Sequence, residues 1–454
     1  MKNVSKNRNI HFVGIGGSGM SAIAEVLISC GYNISGSDLK STNITERLKK
    51  LGVKIFIGHN AENIKSVDIL VVSRAIINNN PELISAKRNK IPIISRAEML
   101  AKITKSKYTI TVTGTHGKTT ISSLVSLVLD NCGLDPTIII GGELNNIKTN
   151  GRFGIGDYVV VESDESDGSF LKLSPTIAVV SNIDNDHLDF YDDMENLKKT
   201  FLKHINSVSS HYGIAIVCSD DRNIKNIIPK INKKYITYGF NGNPDIKALN
   251  VRILKNFRMK FDVFYKKNTI GDICIKIPGK HNVLNSLAAI GVGLFLKIPF
   301  DLIAKAINKF DGVVRRFDIK GEKKGIMIID DYAHHPTAII STLKTIKYVW
   351  PRRRLIVLFQ PHRYTRTNNL FEDFGKSFTS ADIVNVLDIY SAGEQQIEGV
   401  SSELILKSLI SNKCNAVKFF DLKRILNMLS IGDIVLTLGA GDIWKKGEEL
   451  LNII

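Results

Sequence analysis

Thr113-Gly114-Thr115-His116-Gly117-Lys118-Thr119-Thr120 follows a short apolar run, 108–112, and precedes a stretch of helical character, 121–129. Strand, glycine-rich loop and helix in that order predict a parallel α/β unit. The loop aims backbone N–H groups at an anion, with a helix N-terminus behind them. Lys118 adds a mobile positive charge for the outer phosphates of a nucleotide. Thr119 places a hydroxyl where a magnesium ligand belongs. The loop is shorter than the usual pattern, because Val112 stands five residues before the Gly-Lys pair and Gly114 sits closer instead. Gly114, Thr115, His116, Gly117, Lys118, Thr119 and Thr120 are therefore the candidate triphosphate cradle, for ATP or GTP, with hydrolysis expected.

Upstream lies a second glycine loop, Gly14-Ile15-Gly16-Gly17-Ser18-Gly19, between a strand-like run, 10–15, and a helix-like run, 20–30. Asp38 follows about twenty residues on, as in dinucleotide-binding folds. Glycines let a backbone approach a diphosphate, and any diphosphate serves, that of a UDP-sugar included. A nicotinamide oxidoreductase is the other reading. A second, lysine-bearing loop in the same chain weighs against it, because such an enzyme rarely needs to split ATP.

The 454 residues, 44% hydrophobic, suit about three domains at ~150 residues each. Five scattered cysteines, Cys30, Cys132, Cys218, Cys274 and Cys414, never spaced Cys-x-x-Cys, argue against a disulfide framework or a zinc site. They suit a reducing cytoplasm. The basic, polar start, 1–9, has no signal-peptide pattern. The apolar run 284–300 carries Asn285, Ser286 and Lys297, so it predicts a buried helix and no membrane insertion. Net charge is +17. Without interleaved aromatic and basic residues, this points to anionic substrates and a lysine-rich surface, not to nucleic acid.

Strand-like and helix-like segments alternate along the chain, which predicts α/β architecture with parallel sheets. Three blocks are expected: 1–106, 107–312 and 313–454. Strands are predicted at 10–15, 33–36, 54–57, 68–73 and 92–94 in the first block. The second has them at 108–112, 158–161, 176–181 and 213–218, then a β-rich stretch, 245–277, and helices over 281–310. The third has them at 326–329, 354–359, 383–388 and 433–438.

Carboxylates gather at strand ends, where ligands of open parallel sheets bind. Glu162-Ser163-Asp164-Glu165-Ser166-Asp167 follows one apolar strand and reads as a source of magnesium ligands; a solvated acidic turn is the alternative. Asn182-Ile183-Asp184-Asn185-Asp186-His187 follows another, and His187 reads equally as a ligand or a structural hydrogen-bonder. Asn282 and Asn285 share a helix face and read as nucleotide contacts or caps. Arg315 and Arg316 open the third block and suit a transferring phosphate. Asp330-Asp331-Tyr332-Ala333-His334-His335-Pro336 has no zinc spacing, so a ribose-binding Asp and a positioning His fit better. In Gln360-Pro361-His362-Arg363-Tyr364-Thr365-Arg366, Arg363 and Arg366 suit a carboxylate, and a solvated helix start is the alternative.

Gly114 to Thr120, Glu162 to Asp167, Asn182 to His187, Gly279-Lys280-His281-Asn282, Asp330 to Pro336 and Gln360 to Arg366 occur in an order that resembles the Mur ligases of peptidoglycan synthesis. The resemblance covers nearly the whole chain. The glycine-loop start, His-His-Pro and Pro-His-Arg-Tyr-Thr-Arg are most similar to members that add L-alanine. It implies a Rossmann-like N-terminal domain for a UDP-sugar, a central ATPase domain with a mainly parallel sheet, and a Rossmann-like C-terminal lid bringing the amino acid. It implies ATP, Mg2+, UDP-N-acetylmuramate and L-alanine, the lactyl carboxylate being joined to the alanine amine.

By the same resemblance Gly14, Gly16, Gly17, Ser18, Gly19, Met20 and Ser21 wrap the UDP diphosphate, with Asp38 and Ser73 nearby. Arg74 stands where a small polar residue is more usual in the family. Thr119, Glu162 and His187 hold magnesium; Asn282, Arg316 and Asp331 steady the nucleotide; Tyr332, Arg363 and Arg366 position alanine. Lys118 and Arg316 reduce the repulsion between a carboxylate and the γ-phosphate. The amine must attack unprotonated, and His187 and His334 are candidates for the base. A peptide-attaching relative remains an alternative, as does a nucleic-acid-dependent NTPase. The expected assembly is a monomer or homodimer.

Overall fold

The computed structural model describes residues 8–454. Most of the polar start, residues 1–7, lies outside the described residues. Three sheets are present. The first holds β1 (Asn9–Val13), β2 (Asn33–Asp38), β3 (Lys54–Ile57), β4 (Ile69–Val72) and β5 (Ile93–Ser95). They run parallel in the order β3-β2-β1-β4-β5. The order reverses between β1 and β4, which opens a ligand crevice at their carboxyl ends. β1 stops at Val13, two residues short of the sequence expectation, because Gly14 turns the chain at φ 82°.

The second sheet has ten strands: β6 (Tyr108–Thr113), β7 (Thr137–Leu144), β8 (Thr149–Arg152), β9 (Tyr158–Glu162), β10 (Ile177–Val180), β11 (Ile214–Cys218), β12 (Tyr235–Gly239), β13 (Ile246–Ile253), β14 (Met259–Tyr265) and β15 (Asn268–Ile275). Their order is β15-β14-β13-β12-β11-β10-β6-β9-β7-β8. From β7 to β13 neighbouring strands are parallel, and β8 returns antiparallel on β7. β9, β10 and β11 are mostly Val, Ile and Ala, as burial on both faces favours, and every residue of β10 and β11 is buried; β6 between β9 and β10 instead puts threonine at alternate positions. β14 instead alternates, with Met259, Phe261 and Val263 buried, the period of a strand with one wet face.

The third sheet holds β16 (Asp318–Lys323), β17 (Ile326–Asp331), β18 (Leu355–Phe359), β19 (Ile383–Val386), β20 (Ala416–Lys418) and β21 (Ile434–Leu438), ordered β16-β17-β21-β18-β19-β20. Only β16 is antiparallel to its neighbour. The expected strands are present. β7, β8, β12, β16 and β20 add to them.

The residues pack as two compact units. One takes in the first two sheets, up to Arg252 with Lys260–Ile275 and Asn282–Asp311; the other is Ile253–Met259, Lys276–His281 and Gly312–Ile454. In the first unit one helix, Ser18–Ser29, joins the sheets. Every residue from Met20 to Leu27 is buried, as expected of a helix covered on all sides. Phe12, Ile23 and Val26 share an apolar cluster with Ile139, Val159 and Val161 of the second sheet. Among the described residues no helix is long and apolar enough to cross a membrane.

Candidate active site

The central position of β6 decides the geometry. β9 flanks it on one side and β10 on the other, so the loops after all three strands leave the same sheet edge. The β6 loop enters the helix Lys118–Asn131 through Gly117, which caps it at φ 85°. Gly114 is also left-handed, at φ 133°, a conformation that only glycine adopts without strain. The β10 loop braces the β6 loop. Asn182 Oδ1 accepts the His116 N–H at 2.7 Å, Ser181 Oγ donates to the His116 carbonyl at 2.6 Å, and Thr115 Oγ1 accepts the Asp184 N–H at 2.9 Å. His116 Nε2 lies 2.9 Å from Asp184 Oδ2.

Thr119 and Glu162 meet across β6 and β9. Thr119 Oγ1 donates to Glu162 Oε1 at 2.9 Å, and the Gly141 N–H fixes Oε2 at 2.6 Å. A hydroxyl and a carboxylate are hard oxygen donors of the kind magnesium selects, so the pair fits that ion. His187 lies on the β10 loop, on the far side of β6 from Glu162. It caps the short helix Leu188–Tyr191 at φ 60°, with its ring 3.6 Å from Asp186. Asn282 and Asn285 are buried within the helix Lys280–Phe295, and Asn285 Nδ2 donates to Asn282 Oδ1 at 3.2 Å. They are not caps. Asn285 Oδ1 lies 2.6 Å from where a Cβ on Gly117 would stand, which places it against the phosphate loop.

Lys118 Nζ donates to Glu165 Oε1 at 2.8 Å and to the Gly114 carbonyl at 2.7 Å. Burial opposes its charge, yet Glu165 and Asp164 hold its pKa above the ordinary lysine value. Three carboxylates crowd this one ammonium. Burial, reinforced by the like charge of Asp164, pushes Glu165 up to about 7. Asp164 goes the other way: burial works against it, but Lys118, the Ser166 N–H and Arg96 hold its carboxyl below the usual range.

At the first glycine loop the donors are fewer than the motif suggests. Gly14 and Ile15 donate to the Ser37 carbonyl at 2.9 and 3.0 Å, and Gly16 donates to Asp38 Oδ2 at 2.8 Å. Met20 and Ser21 spend their N–H groups on the Gly17 carbonyl and are buried. The N–H groups of Ser18 and Gly19 remain at the mouth. Asp38 therefore braces its own loop. Ser73 packs on Gly14, its Cβ 3.1 Å from where a Gly14 Cβ would stand. Two arginines border this mouth. Arg96, outside the sequence-predicted set, lies with Nη1 3.0 Å from the Cβ position of Gly19 and Nη2 3.7 Å from Asp164 Oδ2. Arg74 Nη1 donates to the Ser166 carbonyl at 3.3 Å.

In the second unit, Asp331 also turns inward, accepting the Phe317 N–H at 2.9 Å and the Ala333 N–H at 2.7 Å. Burial pushes its carboxyl up, against Arg316. The Arg316 guanidinium lies 4.7 Å from the Tyr332 ring centre, a cation–π contact. His334 packs edge-on to Tyr332 at 5.3 Å and 5.6 Å from His362. Arg366 is buried with Nη1 3.4 Å from His362 Nδ1, whereas Arg363 is part-exposed and lies 3.7 Å from Glu394. The two arginines thus have different protein neighbours, although they share one loop-to-helix junction.

Two glycine loops at the carboxyl ends of parallel strands, one of them with a buried lysine held in its charged form beside hard oxygen donors, are the arrangement of a nucleotide-dependent enzyme. Family models agree with that class: "Mur ligase family, catalytic domain" matches residues 9–108, "Mur ligase middle domain" 112–293 and "Mur ligase, glutamate ligase domain" 315–441. The chain belongs to the Mur ligase family. It is 65% identical over 449 residues, 99% of each chain, to the UDP-N-acetylmuramate–L-alanine ligase of Endomicrobium trichonymphae. The crystal structure of a UDP-N-acetylmuramate–alanine ligase from Thermotoga maritima matches it with a TM-score of 0.84 at 30% identity, covering 98% of both chains. A murein peptide ligase from Psychrobacter arcticus shares the fold, with a TM-score of 0.75 at 22% identity over 98% of both chains.

Proposed function

We propose that this chain joins L-alanine to the lactyl carboxylate of UDP-N-acetylmuramate, with ATP converted to ADP and phosphate, in peptidoglycan precursor synthesis. The observation that carries the reading is the placement of two anion loops in one packed unit, one of them supported by Lys118 and the Thr119–Glu162 pair. The near-full-length similarity to alanine-adding ligases supports the choice of substrates.

The chemistry follows from the leaving group. A carboxylate oxygen leaves badly, so the lactyl carboxylate attacks the γ-phosphate, expels ADP and becomes an acyl phosphate. The alanine amine then attacks the acyl carbon, and phosphate leaves. Lys118 and Arg316 neutralise charge as two anions approach. Thr119, Glu162 and His187 would hold magnesium, which supplies further neutralisation of the phosphates. Gly114 to Thr120 cradle the phosphates, and Asn282 and Asp331 steady the nucleoside. Tyr332, Arg363 and Arg366 would receive alanine, with His187 or His334 taking the amine proton.

The domains assigned to these roles are 1–106 for the sugar nucleotide, 107–312 for ATP and 313–454 for the amino acid, in a cytoplasmic monomer or homodimer. The test is phosphate release from ATP with UDP-N-acetylmuramate, with and without L-alanine. Release that needs both supports the reading. Release with a tripeptide in place of alanine would assign the chain to peptide recycling instead.

A further inference from the structure

The parallel strands of the second sheet have two ends, and the phosphate loop leaves from the carboxyl end of β6. At the opposite, amino edge stand Tyr108, Tyr158 and Tyr235, the first residues of β6, β9 and β12, with Tyr212 two residues before β11. These tyrosines are far apart in sequence, and parallel pairing gathers them. The Tyr108 ring centre lies 5.8 Å from that of Tyr158 and 6.0 Å from that of Tyr212. Tyr212 is 60% exposed, Tyr108 47% and Tyr235 41%. Lysines continue the same edge. The helix Met194–Asn206 ends here and carries Lys203 in its last turn. Asn206 Oδ1 accepts the Asn232 N–H at 3.0 Å, which pins the segment 230–234 beside the helix end. Lys233 Nζ donates to Ser210 Oγ. Lys199, Lys203, Lys230 and Lys234 are exposed, and among the described residues none of the four has an ion-pair partner. Residues 196–219 and 222–244 contain seven lysines and one arginine but no Asp or Glu. The two acids between them, Asp220 and Asp221, lie past the carboxyl end of β11 and accept the Phe240 and Ile224 N–H groups. Like charges gathered without acids repel one another, which works against the folded state until a negative partner meets them.

We propose that this amino edge docks on an anionic lipid bilayer, with Lys203, Lys230, Lys233 and Lys234 against the headgroup phosphates and the Tyr212 and Tyr235 rings at headgroup depth. Tyrosine and lysine each join an apolar body to a polar tip, which suits the boundary between lipid and water. A lysine ammonium is a point charge that suits a diffuse negative surface, whereas an arginine fork reads individual phosphates. Residues 203–213 and 228–235 contain no arginine. Single-strand binders stack bases on free ring faces, but Tyr108 packs against two other rings. Charge supplies the attachment, so no inserted helix is needed. The Gly114–Thr120 loop lies at the other end of the strands, and docking leaves it in solvent. The proposal is independent of which substrates the enzyme joins.

Co-sedimentation of the full chain with vesicles tests it, using phosphatidylcholine alone or mixed equally with phosphatidylglycerol. The protein should pellet with the mixed vesicles only and be released by high salt, which screens exposed charges. Lys230→Gln, Lys233→Gln and Lys234→Gln combined should weaken binding about a hundredfold, at about fivefold per lysine near an anionic surface. Arginine at the same three positions should preserve it. Tyr212→Ser should weaken it severalfold. Phosphate release from ATP without vesicles should be unchanged in all these variants. Lys87→Gln, Lys413→Gln and Lys423→Gln combined remove equal charge from exposed sites elsewhere and should leave vesicle binding intact. Equal weakening in that control reduces the effect to net charge and overturns the proposal. Full binding by the glutamine triple or by Tyr212→Ser overturns it too, as does absence of binding or equal binding to neutral vesicles. Release from the mixed vesicles by a single-stranded oligonucleotide that the glutamine triple fails to bind would assign the edge to nucleic acid and likewise overturn it. Should the triple not fold, Lys230→Gln and Lys234→Gln singly carry the same comparison, at about fivefold each.

Discussion

Lys118 Nζ lies 2.8 Å from Glu165 Oε1, in a pocket where the carboxyl is raised to about 7 by burial. The folded protein therefore keeps a proton on Glu165 that an unfolded chain, at the ordinary value of 4.5, gives up. Stability contributed by this group is present below pH 4.5 and falls as pH rises towards 7. Glu165→Gln should flatten that slope. Melting temperatures of both proteins between pH 5 and 7.5 check it; parallel curves would refute the coupling.

Lys118→Ala should reduce ATP turnover by at least ~10²–10³-fold, the scale of losing one preorganised charge at a transferring phosphate. UDP-sugar binding should be largely spared, because Lys118 and the first glycine loop sit on different sheets. Loss of both in a folded variant would contradict separate sites.

Gly117→Ala asks a residue with a side chain to sit at φ 85° with its Cβ 2.6 Å from Asn285 Oδ1. A stability loss of about 1 kcal/mol or more is expected from backbone strain. The KM for ATP should rise, since the loop cannot hold its curve. Denaturant melts and ATP saturation curves measure the two effects separately.

Arg363→Ala and Arg366→Ala should each raise the KM for L-alanine, by about tenfold for a lost charged hydrogen bond. Arg366 is buried against His362 and Arg363 is half-exposed, so Arg366→Ala should also cost more stability. An unaltered alanine KM in both variants would remove the clamp.

Much of this architecture was legible in the sequence, for physical reasons. Strands buried on both faces are commonly rich in Val, Ile and Leu, so β9, β10, β18 and β21 announced themselves. The strands that went unseen lack that pattern. β7 runs into Gly141-Gly142, β8 is Thr-Asn-Gly-Arg, and β16 is an edge strand, Asp-Ile-Lys-Gly-Glu-Lys, with no apolar alternation to read. The glycine loops were visible because few residues tolerate their backbone. What could not be read was whether a strand-end carboxylate faces a ligand or its own loop. Asp38 and Asp331 both turn back to accept backbone N–H groups. Arg96 was missed for a related reason: its contacts with Gly19 and Asp164 are made far along the chain, where spacing carries no signal.

The helix Ser18–Ser29 is clad in apolar side chains on one flank by β1 and on the other by the β7–β8 hairpin; at Gly151 even a methyl group would strike the Ala22 backbone. A fragment cut at residue 106 would expose that second flank to water and leave Glu25 without Thr149, its partner at 2.6 Å. Dissection of this enzyme for crystallography or inhibitor screening should thus keep residues 1–311 as a single piece, since the first cut suggested by the motifs runs through a shared interior.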